Sequence, residues 1–381
     1  MITGIDALHL KNFSALRKRR VALLSHQAAA TRTGATSAQL LHQVLGSNLV
    51  ALFGPEHGFF GQATAGEKTY TCPHPDWSIP VYSLYGECRQ PTPEMLHGVD
   101  LLLVDLQDLG VRCYTYLATL RLTLLACARA HVAVCVADRP IPLPEVVDGP
   151  LLDPVWSSFV APCAVPLVYG MTLAEAARWL VREEKIDVDL TVAPLRAWKR
   201  GQARWDSTRP EFIPPSPGIK SWETAMTYAA TVFSEALPGI DCGRNTNLSF
   251  RVLGAPWMHA ETICAALEAL RLPGITFHPY RYAGGVAPYQ GKALDGFRIT
   301  VTNPAEARPV AASLAILRTL SDLYGPTRIW RHKGVRPQWF DKLYGTDATR
   351  HALQTGTPIR EIVTTWAAPQ FVDSRECALL Y

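Results

Sequence analysis

The first group in this sequence suited to chemistry is the stretch Phe53-Gly54-Pro55-Glu56-His57-Gly58. Glycines on both sides of an acid and an imidazole let the backbone turn tightly and approach a ligand. A carboxyl group in a partly apolar cleft has its pKa raised, which suits Glu56 to give a proton to a leaving group. The competing reading is a turn in which Glu56 caps a helix or meets an arginine. A second carboxylate, Glu87, ends Tyr82-Ser83-Leu84-Tyr85-Gly86-Glu87, with a surface ion pair to Arg89 as the competing reading.

Two more polar clusters follow apolar runs. Asp105-Leu106-Gln107-Asp108-Leu109-Gly110-Val111-Arg112 offers hydrogen-bonding groups in Asp105, Gln107 and Asp108. Arg112 could fork onto a substrate carboxylate, and Tyr114 adds a further contact just beyond. One of the two aspartates is expected to be structural, capping the next helix. Asp138-Arg139-Pro140 repeats the pattern, with a salt bridge before the proline as its plain alternative. Further along, Glu235 and the loop Asp241-Cys242-Gly243-Arg244-Asn245-Thr246-Asn247 bring an acid and a cation that could close a cleft over a sugar.

Other signatures are absent. No Gly-x-Gly-x-x-Gly follows an expected strand, so no dinucleotide cofactor is implied. Gly61 to Thr69 nearly spells a phosphate loop, but Glu67 intrudes between Gly66 and Lys68, where a carboxylate would repel phosphate. Neither His-Glu-x-x-His nor Gly-x-Ser-x-Gly occurs. His26, His57 and Asp105 are residue types that suit zinc, yet nothing fixes their spacing, so metal-assisted hydrolysis stands only as an alternative. No cofactor is expected.

The elements that position these groups read as βα units. Val21–Ser25, Leu49–Phe53, Leu101–Asp105 and Val132–Val136 are continuously apolar strands, and Ser37–Leu45 and Tyr116–Ala130 are helices. Unbroken apolar strands mark a parallel sheet covered on both faces. The fold class is therefore α/β, a Rossmann-like doubly wound sheet, in which ligands bind beyond the strands' carboxyl ends. Thr172-Leu173-Ala174-Glu175 is a capping box opening a helix to about Glu184. The proline-rich run from Phe212 to Gly218 cannot continue a helix or central strand, and the chain is expected to leave the first domain there. Beyond it, Leu248–Leu253, Ile275–His278 and Gly296–Val301 read as strands. Helices are expected at His259–Leu270 and, opened by Asn303-Pro304 with Glu306, at Ala305–Leu323. Two or three short helices complete the tail, among them Ile359–Trp366. The expected division is 1–222, the Rossmann-like domain, and 223–381, a smaller α+β domain.

Composition agrees. At 381 residues the chain exceeds one hydrophobic core. It is 48% apolar and 18% charged, against about 25% charged on average, which excludes a disordered chain. With a net charge of +4 and one isolated basic cluster, Arg17-Lys18-Arg19-Arg20, no nucleic-acid partner is implied. No apolar run reaches the roughly 18 residues of a membrane span. The opening residues lack the order of a signal peptide, so the chain reads as cytoplasmic, or as exported if a leader has been removed. Nine cysteines without a Cys-x-x-Cys pair suggest reduced thiols. The oligomeric state is not legible.

Several phrases, in this order, resemble one family: FGPEHG, VYSLYGE, LLVDLQDLGVRCYTYLATL, DRP, PPSPGIKSWETAMTY and FDKLYGTD. They are similar to the DUF1343 family, whose characterised members are exo-β-N-acetylmuramidases (NamZ), and the likeness runs from about Gly4 to Tyr381. The resemblance implies a Rossmann-like domain joined to a smaller one, with the active site in the cleft between them. It also implies release of β-1,4-linked N-acetylmuramic acid from the non-reducing end of peptidoglycan fragments. The family's catalytic acid falls on Glu56, with Glu87 as second choice. A departure lies at Asp241 to Asn245, where relatives commonly show a Glu-Gly-Arg-Gly type loop; Arg244 keeps the cation. On this reading Glu56 protonates the leaving oxygen, and Glu87, Asp105 or Asp108 steers water or the sugar's acetamido group. Arg112 or Arg244 meets the lactyl carboxylate of muramic acid. The rival reading is a non-catalytic muramyl-sugar-binding protein using the same cleft.

Overall fold

Two sheets of different kind organise the computed structural model, which describes residues 1–201 and 212–381. The first part runs α1 (Gly4–Leu10), β1 (Val21–Ser25), α2 (Ser37–Leu45), β2 (Leu49–Gly54), β3 (Cys72–Pro73), β4 (Pro80–Ser83), β5 (Leu101–Asp105), α3 (Tyr116–Ala130), β6 (Ala133–Ala137), α4 (Leu173–Glu183) and β7 (Leu190–Ala193). Its seven strands lie in the order β3-β4-β2-β1-β5-β6-β7. Every pair is parallel except the short edge pair β3–β4.

All five residues of β1 and of β5 are buried. Successive side chains point to opposite faces: Val21, Leu23 and Leu103 join the cluster of α1 and α2. Ala22, Leu24 and Val104 join the cluster of α3 and α4 on the other face. That double coverage is why the strands lack alternation in the sequence. From β1 the chain steps outward through β2 to β4, then returns to β5 on the other side of β1. The order therefore reverses beside β1, which opens a crevice at the carboxyl ends there.

The second part is α5 (Trp222–Thr231), β8 (Val252–Ala255), α6 (Ala260–Ala269), β9 (Ile275–Ala283), β10 (Ala293–Val301), α7 (Pro309–Tyr324) and five short helices. These are α8 (Pro326–Trp330), α9 (Pro337–Tyr344), α10 (Ala348–Thr355), α11 (Ile359–Thr364) and α12 (Pro369–Glu376). Its antiparallel sheet has the order β8-β10-β9. The apolar cluster over α3 and α4 continues without a break to Phe233, Leu253, Phe297 and Leu314. Among the described residues no helix is long and apolar enough to cross a membrane, and all nine cysteines are free.

The Thr172 capping box forms as read, each partner's side chain meeting the other's N–H. Other expected boundaries move. The helix after Asn303 begins only at Pro309, because its first N–H groups are met from the larger sheet's side. Asp148 Oδ2 accepts from Val310 N at 2.6 Å and Ala311 N at 3.3 Å. The strand expected at Leu248 starts at Val252, since Phe250 is left-handed (φ 58°). The strand read from Val132 starts one residue later, after His131 caps α3 in the left-handed conformation. The tail holds five short helices, not two or three.

Candidate active site

Glu56 stands two residues beyond β2, and the turn that carries it is sterically determined. A Cβ on Gly54 would lie 2.3 Å from Phe59 N, while His57 (φ 73°) and Gly58 (φ 79°) are both left-handed. His57 Nδ1 is 2.9 Å from Ala63 O, tying the turn to the following loop. Glu56, 8% exposed, accepts from Gly66 N at 2.9 Å on Oε1 and from the Thr115 hydroxyl at 2.7 Å on Oε2. Thr115 occupies the N-cap position of α3, yet its side chain makes no cap bond. Its hydroxyl serves Glu56 instead. The Tyr85 hydroxyl also faces Glu56. Burial, then the charge of Glu56 and a hydrogen bond to it, push Tyr85 up to about 12, with Arg89 acting the other way.

Glu56 opens on a cavity of about 620 Å³. One wall is the carboxyl edge of the larger sheet, with Glu56, His57, Tyr114 and Thr115; the other comes from the second part, with Tyr228, Glu235, Arg244, Arg336 and Trp339. Ser216, Pro217 and Gly218 form part of the lining. Their proline-rich strap is pinned by Gln27 Nε2 donating to Pro214 O (2.8 Å) and the Tyr116 hydroxyl donating to Pro215 O (2.7 Å). Prolines have no N–H to leave unmet, so such a strap can cross a strand edge.

The opposite wall is equally fixed. Glu235 ends a 3₁₀ turn continuing from α5, and Arg336 donates to its main-chain oxygen. Arg244 lies 3.8 Å from Glu235. Its loop is locked by Asp241, whose Oδ1 accepts from Gly243 N (2.7 Å) and the Tyr282 hydroxyl (3.0 Å). Burial raises the Glu235 carboxyl above its ordinary value; Arg244 opposes this and the charge of Glu56 reinforces it. Two carboxyls, two guanidiniums and several aromatic rings thus share one cavity, a set able to protonate an ether oxygen and hold an anionic sugar.

Residues 21–223 match the family described as exo-β-N-acetylmuramidase NamZ, N-terminal, and residues 226–381 match its C-terminal counterpart. The chain is 35% identical over 382 aligned positions to peptidoglycan β-N-acetylmuramidase NamZ of Bacillus subtilis (strain 168), covering 100% of this chain and 91% of that one. The chain belongs to the NamZ family. Two solved DUF1343 family proteins from Bacteroides fragilis NCTC 9343 share its fold. One has a TM-score of 0.91 at 28% identity and the other 0.75 at 26%, each alignment covering 100% of this chain and 98% of the other.

Within the NamZ-family frame, the structure brings together Glu56, His57, Tyr114, Glu235 and Arg244 and places the other expected site residues elsewhere. Glu87 is exposed and outside the cavity lining; the VYSLYGE phrase presents Tyr85 instead. Asp105 is fully buried against Arg139, in a two-pronged pair at 2.5 and 2.9 Å. A charge so deep needs a partner, and this one joins the ends of β5 and β6. Asp108 accepts from Gly110 N and the Tyr169 hydroxyl. Gln107 donates to Pro140 O and Asp108 O. Asp138 accepts from Thr172, Ala174 and Tyr381.

Arg112 is the plainest correction. It is fully buried, donating to the main-chain oxygens of Pro150, Val165 and Leu343, so its guanidinium binds scaffold instead of a substrate carboxylate. The metal trio of the alternative reading does not assemble either. His26 is held through both ring nitrogens by Gln107 N and Tyr116, and Asp105 is held by Arg139. Among the described residues no three His, Cys, Asp or Glu side chains converge. Thr115, Tyr85, Arg336 and Trp339 were not expected at the site. For Thr115 a signal existed: a threonine directly before an apolar helix, within the family phrase.

Proposed function

We propose that this protein is an exo-acting glycoside hydrolase that releases N-acetylmuramic acid from the non-reducing end of peptidoglycan fragments, with Glu56 as proton donor. The observation that carries this reading is the placement of Glu56. It is nearly buried, fixed by Thr115 and Gly66, and opens on the cavity between the two sheets. The full-length likeness to the Bacillus subtilis enzyme supports the substrate class. The cavity falls within the roughly 300–1,000 Å³ usual for small-ligand sites.

Glu56 gives its proton to the glycosidic oxygen as positive charge develops at C1. The Thr115 hydroxyl and Gly66 N–H then stabilise the carboxylate left behind, a gain that grows toward the transition state. Muramic acid differs from N-acetylglucosamine by a lactyl ether, whose carboxylate calls for a cation. Arg244 lines the cavity and fills that role, which the buried Arg112 cannot.

The test sets a chromogenic N-acetylmuramic acid glycoside beside its N-acetylglucosamine counterpart. Cleavage of the first alone is expected. On a muramyl disaccharide, whose leaving group is not activated, Glu56→Gln should keep the fold and lower turnover at least about a hundredfold, as loss of a general acid does. Near-wild-type turnover of that disaccharide by the variant would remove Glu56 from the role.

A further inference from the structure

Direct attack of water at C1 needs a base to take the water's proton, and none of Glu87, Asp105 and Asp108, the acids the sequence suggests for that step, lines the cavity. Among the described residues lining it, the other acid is Glu235. We infer that Glu235 is the second catalytic carboxyl, taking a proton from the water that attacks C1 while Glu56 protonates the leaving oxygen; this rests on the glycosidase reading above.

Three observations carry the inference. First, Glu56 and Glu235 arrive from opposite walls, one from the end of β2 and one from the turn after α5, so a sugar ring entering the cavity has a carboxyl on either side. Second, the charges of Arg244 and Arg336 act on Glu235, but among the described residues it makes no close ion pair of the kind that holds the scaffold acids. Asp105 meets Arg139 at 2.5 and 2.9 Å, and Asp341 meets Arg350 at 2.8 Å. The shortest approach of Arg244 to Glu235 is 3.8 Å, beyond hydrogen-bond distance. The Glu235 side chain also retains 19% exposure, toward the cavity it lines. Third, its backbone is fixed: Arg336 donates to Glu235 O through its side chain and to Ala236 O through its own N–H at 2.9 Å. A carboxyl held rigidly but left open to a cavity is arranged for contact with a ligand.

The step balances. The water oxygen bonds to C1 as the C1–O glycosidic bond breaks; the Glu56 proton goes to the departing oxygen and a water proton goes to Glu235. The two roles respond differently to the leaving group. A good aryl leaving group needs little help from an acid but still needs an activated water.

The experiment compares wild type, Glu56→Gln, Glu235→Gln and Glu235→Ala. Substrates are a muramyl disaccharide and an aryl N-acetylmuramic acid glycoside with an activated leaving group. Glu235→Gln should lose at least about a hundredfold in kcat on both, with KM within a few-fold. Glu56→Gln should lose far more on the disaccharide than on the aryl glycoside. Azide should restore turnover of the aryl glycoside by Glu235→Ala and yield the glycosyl azide. That rescue requires a folded site, and so separates catalysis from misfolding. Wild-type product should first appear by NMR as the α-anomer. Near-wild-type kcat in Glu235→Gln, a change in KM alone, no azide rescue, or a β-anomer as first product would each overturn the assignment. If Glu56→Gln also stayed near wild type on the disaccharide, the underlying reading of the cleft would fail with it; a defect in Glu56→Gln alone would leave that reading standing.

Discussion

Thr115 donates its hydroxyl to Glu56 Oε2 at 2.7 Å, joining the N-terminus of α3 to the turn after β2. A hydrogen bond to a charged group contributes about 1.5–3 kcal/mol, which corresponds to roughly tenfold or more in rate if it is made chiefly in the transition state. Thr115→Val, nearly isosteric, should therefore lower kcat at least about tenfold with little change in KM, while Thr115→Ser should recover most of it. Steady-state kinetics on a muramyl glycoside, with a melting curve to exclude unfolding, checks this. Equal activity of the valine and serine variants would show that the hydroxyl does not support Glu56.

Arg244 lies in the cavity wall, 35% exposed, on a loop fixed by Asp241. If it meets the lactyl carboxylate, Arg244→Gln should weaken inhibition by free N-acetylmuramic acid about tenfold, the equivalent of about 1.4 kcal/mol. Inhibition by N-acetylglucosamine, which lacks the lactyl group, should stay within about twofold. Parallel loss of both would mean that Arg244 shapes the cavity without reading the anion.

Much of the fold was legible because its cause is local. Strands buried on both faces must be apolar along nearly their whole length, and Val21 to Leu24 and Leu101 to Val104 are read directly from that. The Thr172 capping box has all its parts within four residues. The site was less legible because strand-end acids look alike in sequence. Glu56, Asp105 and Asp138 all follow apolar strands, yet Arg139 takes up Asp105, while Thr172 and Tyr381 take up Asp138. Those partners are remote: Tyr381 is 243 residues from Asp138. The far wall follows no strand-end rule, since Arg336 and Trp339 belong to the tail's short helices. Boundaries failed for the same reason. The start of α7 is set by Asp148, 162 residues away from Val310.

Arg112 should matter for stability instead of substrate affinity. Removing its guanidinium leaves the oxygens of Pro150, Val165 and Leu343 without that donor, and each buried unmet group costs about 1–3 kcal/mol. Arg112→Met should thus lower unfolding free energy by at least about 3 kcal/mol, with KM of the folded fraction unchanged. The glycine of FDKLYGTD belongs to the same packing. At Gly345 (φ 76°) a Cβ would sit 2.4 Å from Arg112 Nη2. Gly345→Ala should therefore destabilise wild type more than it destabilises Arg112→Met, where the clash is gone and only the left-handed strain of about 1–2 kcal/mol remains. Denaturant titration of the four proteins measures this coupling, and strict additivity would contradict it.

His26 should make the fold sensitive to acid. It is 2% exposed at the end of β1. Gln107 N donates to its Nε2 at 2.9 Å, and its Nδ1 lies 3.1 Å from the Tyr116 oxygen, whose own proton goes to Pro215 O. The network thus fits a neutral ring carrying its proton on Nδ1. Burial first, then the charge of Arg139, lowers its pKa from 6.5 to about 3, with the Pro215 contact opposing. Above about pH 6.5 both folded and unfolded states hold a neutral ring, and His26 contributes no pH dependence. As pH falls below that, the unfolded chain takes up a proton that the folded one refuses, so stability drops by about 1.4 kcal/mol per pH unit toward about pH 3. Asp108 and Asp148, each raised to about 6 chiefly by burial, give the opposite slope over part of this range; comparison with a variant cancels them. Wild type should exceed His26→Gln in unfolding free energy at about pH 7.5, and that margin should shrink by roughly 2 kcal/mol at about pH 5. A margin that stayed constant in urea titrations at the two pH values would show that the buried ring accepts the proton without penalty.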